Sequence, residues 1–198
     1  FKILDLENFT NLCESEYLKE LFSLIFPEFD NLKKLERLKK ICNHSQISRF
    51  ILLATLLIDK KNNHEYFAHK YNISNEIKEK LNLFAKDLKL IKENKNFFDK
   101  DIEKNIYLSS KNHLINLNIL NFVNNSKFTL KDFSEILKNI LQSKVQFFPI
   151  DGKYLMQNGM KEGYALGSVL KIIENEWIIN GFKISKDRMQ EIIKSNLS

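Results

Sequence analysis

The sequence predicts an all-α protein, an irregular multi-helix array with no substantial β-sheet. Three observations lead there. Apolar residues recur at three- and four-residue intervals through most of the chain. Only two prolines, Pro27 and Pro149, and five glycines interrupt 198 residues. No stretch alternates apolar and polar residues cleanly, as a half-buried strand would.

Helices are expected first over residues 11–25, 31–42, 46–59 and 64–71, with breaks near Pro27 and at Asn62–Asn63. The most apolar run, Phe50 to Ile58, has nine residues. A bilayer crossing needs about 20, so this run reads as a buried helix and no membrane partner is expected. Ile73, Ile77, Leu81, Phe84, Leu88 and Ile91 then mark one helical face, followed by a break around Lys95–Phe98 and a short helix from Ile102. A helix over 111–124 ends at a break spanning Asn124–Lys127. Next comes a stripe of Leu130, Phe133, Ile136, Leu137, Ile140 and Leu141, opened by Thr129 with Asp132 three residues on. That pair reads as a helix-start signal. After a break at Phe148–Gly152, Leu166, Val169, Leu170, Ile173 and Trp177 form another stripe, and a last helix is expected over 186–196. All five glycines fall between 152 and 181, a shift in composition that places a domain boundary near residue 127. The expected division is a helical body over 1–126 and a helical tail over 127–198.

Charge is uneven. Lys and Arg outnumber Asp and Glu by 31 to 25, a net charge of +6, yet residues 1–30 hold two basic and seven acidic residues. The remainder is therefore strongly basic, which suits a polyanionic partner because Lys and Arg neutralise phosphates and release counterions. The abundance of Lys, Asn and Ile leaves a second account open, a compositional bias of the source genome. Cys13 and Cys42 form neither a disulfide framework nor a metal-ligand spacing, and nothing resembles a signal peptide. A soluble protein of a reducing compartment is expected, with the cytoplasm as its location.

No catalytic or metal-ligating residue emerges. His64 and His69 superficially resemble a zinc-protease pair, but five residues on a helix turn through about 500°, so the two rings point in different directions. They read as partly exposed polar side chains. Asp99-Lys100-Asp101 has a spacing used in two-metal nucleotidyl transfer, but that chemistry usually also needs a third carboxylate and a strand to hold the pair rigid, and the flanks read as a loop and a short helix.

The segment Phe148-Pro149-Ile-Asp-Gly152 through Gly159, Gly163 and Gly167 to Leu170 reads as a short helix, a tight turn and a second helix. Pro149 stops the preceding helix. Gly159 suits the left-handed position that closes a helix, and Gly163 opens the next one. Gly167, one turn inside, costs about 1 kcal/mol against alanine, and close packing against the preceding helix is the expected reason. With Lys161 in the turn and Lys153 nearby, this helix start could hold a phosphate. A hairpin whose glycines serve packing alone is the other reading.

The order Phe148, Pro149, Gly152, Leu155, Gly159, Gly163, Leu166, Gly167, Leu170, Glu174 and Trp177, with Gly181-Phe182 after it, resembles the tail of class II tRNA nucleotidyltransferases (CCA-adding enzymes) and bacterial poly(A) polymerases. Upstream, Phe26-Pro-Glu, Leu35-Glu-Arg37-Leu38 and Arg49-Phe-Ile-Leu-Leu-Ala54 are similar to the helical body of that family. Glu162 and Tyr164 stand where the family usually has prolines, and Tyr154 where it has an acidic residue. The resemblance implies a seahorse-shaped parent of head, neck, body and tail that adds CCA or A to RNA 3′ ends. Its head would use Mg²⁺ with CTP or ATP, and no cofactor is expected in the present part. Head motifs are absent, and Phe1 stands where a complete chain would have Met, so the chain is expected to be the body and tail of something longer. Its implied partners are tRNA or another RNA, held through the phosphate backbone, and the parent's own head and neck. Lys153, Lys161, Lys171, Lys183 and Arg188, grouped around the glycine segment, are the expected phosphate contacts. Two rivals stand beside this reading: an all-helical protein-interaction or scaffold domain, and a small enzyme using Asp99 and Asp101.

Overall fold

A computed structural model describes residues 15–29, 32–42, 47–59 and 61–197. Cys13 and the first residues of the helix expected over 11–25 lie outside them. Among the described residues the protein is all-α, with eleven helices and no strand. It divides into two compact units, Phe1–Ser143 and Lys144–Ser198.

The first unit contains α1 (Glu16–Ile25), α2 (Lys34–Lys39), α3 (Arg49–Leu57), α4 (Asn63–Lys70), α5 (Asn75–Glu93), α6 (Ile102–Leu108), α7 (Lys111–Asn124) and α8 (Leu130–Gln142). Its centre is α7, which packs against α2, α3, α5, α6 and α8. From Leu117 to Val123 every residue of α7 is buried, and so is every residue of α3 from Ile51 to Leu57. A helix buried on all sides cannot be amphipathic, which is why the Phe50–Ile58 run is apolar throughout. The other helices show one apolar stripe each, and α5 presents Leu81, Phe84 and Leu88 to the core.

Local chemistry sets the ends. Ser48, Ser110 and Thr129 accept hydrogen bonds from the backbone N–H three residues on, capping α3, α7 and α8. Asp132 completes the box by accepting from the Thr129 N–H at 2.8 Å. Asn72, left-handed at φ 46°, ends α4: its N–H donates to the His69 carbonyl, and the Ile73 N–H donates to that of Ala68.

The boundary expected near residue 127 falls instead after Ser143. The stripe on α8 belongs to the first core, where Phe133 and Ile140 are fully buried and the Phe133 ring lies 5.5 Å from that of Phe122. The buried Asn118 amide of α7 donates to the Phe133 carbonyl at 3.0 Å, and the Lys111 ammonium donates to the Leu141 carbonyl at 2.8 Å. A break in the helical pattern at Asn124–Lys127 marks a turn between two packed helices rather than a boundary between cores.

Arg37 organises that turn. Its guanidinium donates to the carbonyls of Phe122 (2.9 and 2.8 Å), Asn125 (3.0 Å) and Phe128 (2.8 Å), and its carbon lies 4.4 Å over the Phe122 ring. These carbonyls include orphan acceptors of the α7 C-terminus and its exit loop. Arg37→Ala is expected to destabilise the protein by about 2 kcal/mol or more in urea unfolding, because several acceptors lose their donor together. Arg37→Lys should recover little, since an ammonium cannot reproduce the planar fork. A loss within the error of the measurement for both variants would refute this role.

Candidate nucleic-acid interface

The second unit is built from α9 (Gly152–Gln157), α10 (Tyr164–Ile179) and α11 (Lys186–Ser195), with α10 packing against both others. Leu155, Met160, Val169, Ile173, Met189, Ile192 and Ile193 make its core. Asp151 caps α9 by accepting from the Tyr154 N–H at 2.9 Å. Nothing in the sequence hid this cap, which has an ordinary N-cap residue directly before the helix.

Two turns of the same kind fix the frame. After α9, the Gly159 N–H donates to the Met156 carbonyl and the Met160 N–H to that of Leu155, with Gly159 at φ +95°. After α10, the Gly181 N–H donates to the Ile178 carbonyl and the Phe182 N–H to that of Trp177, with Gly181 at φ +65°. Both are Schellman closures with their apolar contact in place. Leu155 and Met160 are buried together, and the Phe182 ring lies 4.8 Å from Trp177, which also meets Phe148 at 5.4 Å. Gly163 is the N-cap of α10 at φ +148°, and no side chain caps it.

Gly167 does not do what the sequence suggested. A methyl group there would meet nothing within 4 Å, and the position is exposed. The close approach is at Gly152, where an added carbon would lie 3.2 Å from the Leu166 side chain. The spacing of the segment therefore marks the right pair of helices but assigns the contact to the wrong glycine.

Of the expected phosphate contacts, Lys153, Lys161, Lys171 and Lys183 are exposed, and none forms an ion pair among the described residues. They are strung out rather than gathered. Lys161 precedes α10 and Lys183 follows it, and a helix of 16 residues is about 24 Å long at 1.5 Å per residue. Arg188 stands apart. Its guanidinium forks onto Glu176 at 2.7 and 3.1 Å and reaches Glu191 at 3.0 Å. Hydrogen bonds from Arg188 hold the Glu176 carboxyl below the usual carboxylate range. Arg188 thus clamps α11 to α10, a role fixed by the crossing of two helices that sequence periodicity does not describe.

The basic excess is centred elsewhere. Residues 144–198 hold eight basic and six acidic residues, whereas residues 31–143 hold 21 and 12. In the first unit Asp101 accepts from the Asn94 side chain at 2.8 Å, and Asp99 is exposed. His69 is exposed, but His64 is buried at 3 % exposure with its Nδ1 unpartnered, which corrects the expectation of two partly exposed rings.

Burial, aided slightly by Lys89 and opposed by Glu65 and Asp59, pushes the His64 imidazole below its usual range. The unfolded chain then binds a proton that the folded chain refuses, so stability should fall as pH drops from about 7 to 5. Thermal unfolding of His64→Leu should show a weaker dependence in that window, and an identical slope would refute the assignment. The glycines can be tested in the same way. Gly167→Ala should be neutral or stabilise by up to about 1 kcal/mol, whereas Gly159→Ala should destabilise, because its backbone is left-handed. Equal effects at the two positions would contradict the geometry. No protein-family model, no curated protein and no solved structure matches the chain.

Proposed function

We propose that this chain is an RNA-binding portion of a nucleotidyltransferase that adds CCA or A to RNA 3′ ends, with the metal and nucleotide chemistry in a catalytic head elsewhere in a parent chain. The observation that carries the RNA-binding part is the set of exposed lysines in the second unit. Lys153, Lys161, Lys171 and Lys183 stand exposed and unpaired by carboxylates, while Arg188 takes up Glu176 and Glu191. Exposed lysine ammonium groups on α9, in the turn before α10, on α10 and after it suit a phosphate backbone, which is read by position and not by base. The nucleotidyltransferase part rests on the glycine-spaced motif. Gly152 packs against Leu166, and Gly159, Gly163 and Gly181 take positive φ at the ends of α9 and α10.

A protein-interaction domain is the second reading, favoured by large apolar side chains left in solvent on the same unit: Tyr164 at 94 % exposure, Phe147 at 82 % and Ile179 at 76 %. Binding of tRNA separates the two. Replacing Lys153, Lys161, Lys171 and Lys183 together by Gln should weaken binding by at least about tenfold near 0.1 M salt. The slope of log affinity against log salt should become shallower by roughly one per phosphate contact removed. An unchanged affinity and slope would sink the proposal, and Arg188→Gln should instead lower stability.

A further inference from the structure

The first unit contains a basic cavity that the RNA-binding proposal does not use. It has a volume of about 350 Å³ and opens where α3, α5 and α7 end, walled in part by Lys34, Lys61, Lys89 and Lys92. Its apolar side includes Ala85 and Leu88, which share a face of α5 with Lys89 and Lys92.

Lysines near helix C-termini have an immediate structural use, because the last carbonyls carry partial negative charge. Lys34 serves it, donating to the Ile58 carbonyl at 2.9 Å. Lys89 and Lys92 do not, for neither has a hydrogen-bond or ion-pair partner among the described residues. They lie one turn apart, where two like charges repel. The single carboxylate in the wall, Asp59, is already engaged. It accepts from the Lys61 N–H at 2.9 Å, the Asn63 N–H at 3.2 Å and the Asn63 side-chain amide at 2.9 Å.

A second, independent feature points into the same space. Asn121 of α7 lines the cavity at 6 % exposure, and its side-chain amide has no partner among the described residues. Its amide is reached from the cavity rather than enclosed in the core, so its donor and acceptor are open to a polar occupant. Neighbouring Asn124 and Asn125 also line the rim, with the Asn124 amide donating to the Leu120 carbonyl at 2.8 Å and the Asn125 Oδ1 accepting from the Lys127 N–H at 3.1 Å.

We infer that this cavity is a site for a small phosphorylated molecule, a phosphate ester or inorganic polyphosphate, whose phosphates Lys89 and Lys92 neutralise and to which Asn121 hydrogen-bonds. The volume lies near the lower end of the range for small-molecule pockets, which excludes a nucleic-acid duplex from the interior and admits a diphosphate or mononucleotide.

Titration of the full chain with pyrophosphate at constant ionic strength, followed by amide NMR, tests the site. Saturable shifts are expected at the Asn121 side chain and along residues 88–92, with sulfate shifting them less. Lys89→Gln with Lys92→Gln should weaken pyrophosphate binding by at least about tenfold, equivalent to one step of 1.4 kcal/mol. Asn121→Ala provides a check that keeps both charges, and it should weaken binding while the melting transition persists. The Gln variant at Lys153, Lys161, Lys171 and Lys183 should leave pyrophosphate binding unchanged. Shifts that never saturate, that spread over all exposed lysines, or that survive both the lysine and the Asn121 variants would overturn the inference. Binding of tRNA without binding of pyrophosphate would overturn it too, while leaving the proposal for the second unit standing.

Discussion

The contact between Arg37 and the carbonyls of Phe122, Asn125 and Phe128 is the constraint on which the first unit depends. A helix at the centre of five neighbours gains by burying every face, but its C-terminal carbonyls must then find donors without water. α7 reaches that limit at Phe122 and Val123, which are almost fully buried. A planar guanidinium can donate in several directions from one point, and stacking on the Phe122 ring keeps it there. With the end of α7 satisfied, the chain can turn at once into α8 and return Phe133 and Ile140 to the same core.

Much of this is legible in the sequence. Helix positions followed from apolar spacing, and Thr129 with Asp132 announced the start of α8. The unit boundary was not legible, because an amphipathic stripe records that a face is buried and not which core buries it. Phe133 and Ile140 would look the same on either side of the division. The case of Gly167 is similar. Glycine spacing marks helices that come close, but the point of contact depends on their crossing, and that point is Gly152 against Leu166.

The candidate site was legible unevenly for the same reason. Exposed lysines around a glycine hairpin can be named from sequence, yet whether each is spent on a carboxylate depends on a neighbour brought by the fold. Glu176 meets Arg188 across twelve residues and two helices, at a separation with no helical period. The wall of lysines in the first unit was less visible still, since Lys34, Lys61 and Lys89 belong to separate elements and only α5 places two of them together.

Division of labour between the two basic side chains connects these observations. Only Arg37, Arg49 and Arg188 among the 31 basic residues are arginines. The two whose contacts are described in detail are both structural, one forking onto carbonyls and the other onto carboxylates. Such forks lock a side chain in place and occupy its donors. Lysine on a four-carbon stem makes no comparable demand on its surroundings, so a surface of lysines stays available to whatever anion approaches. Where lysine is used structurally, as in the 2.8 Å pair of Lys70 with the buried Glu28, a single carboxylate suffices to consume it. Among the described residues Lys89, Lys92, Lys153, Lys161, Lys171 and Lys183 lack even that.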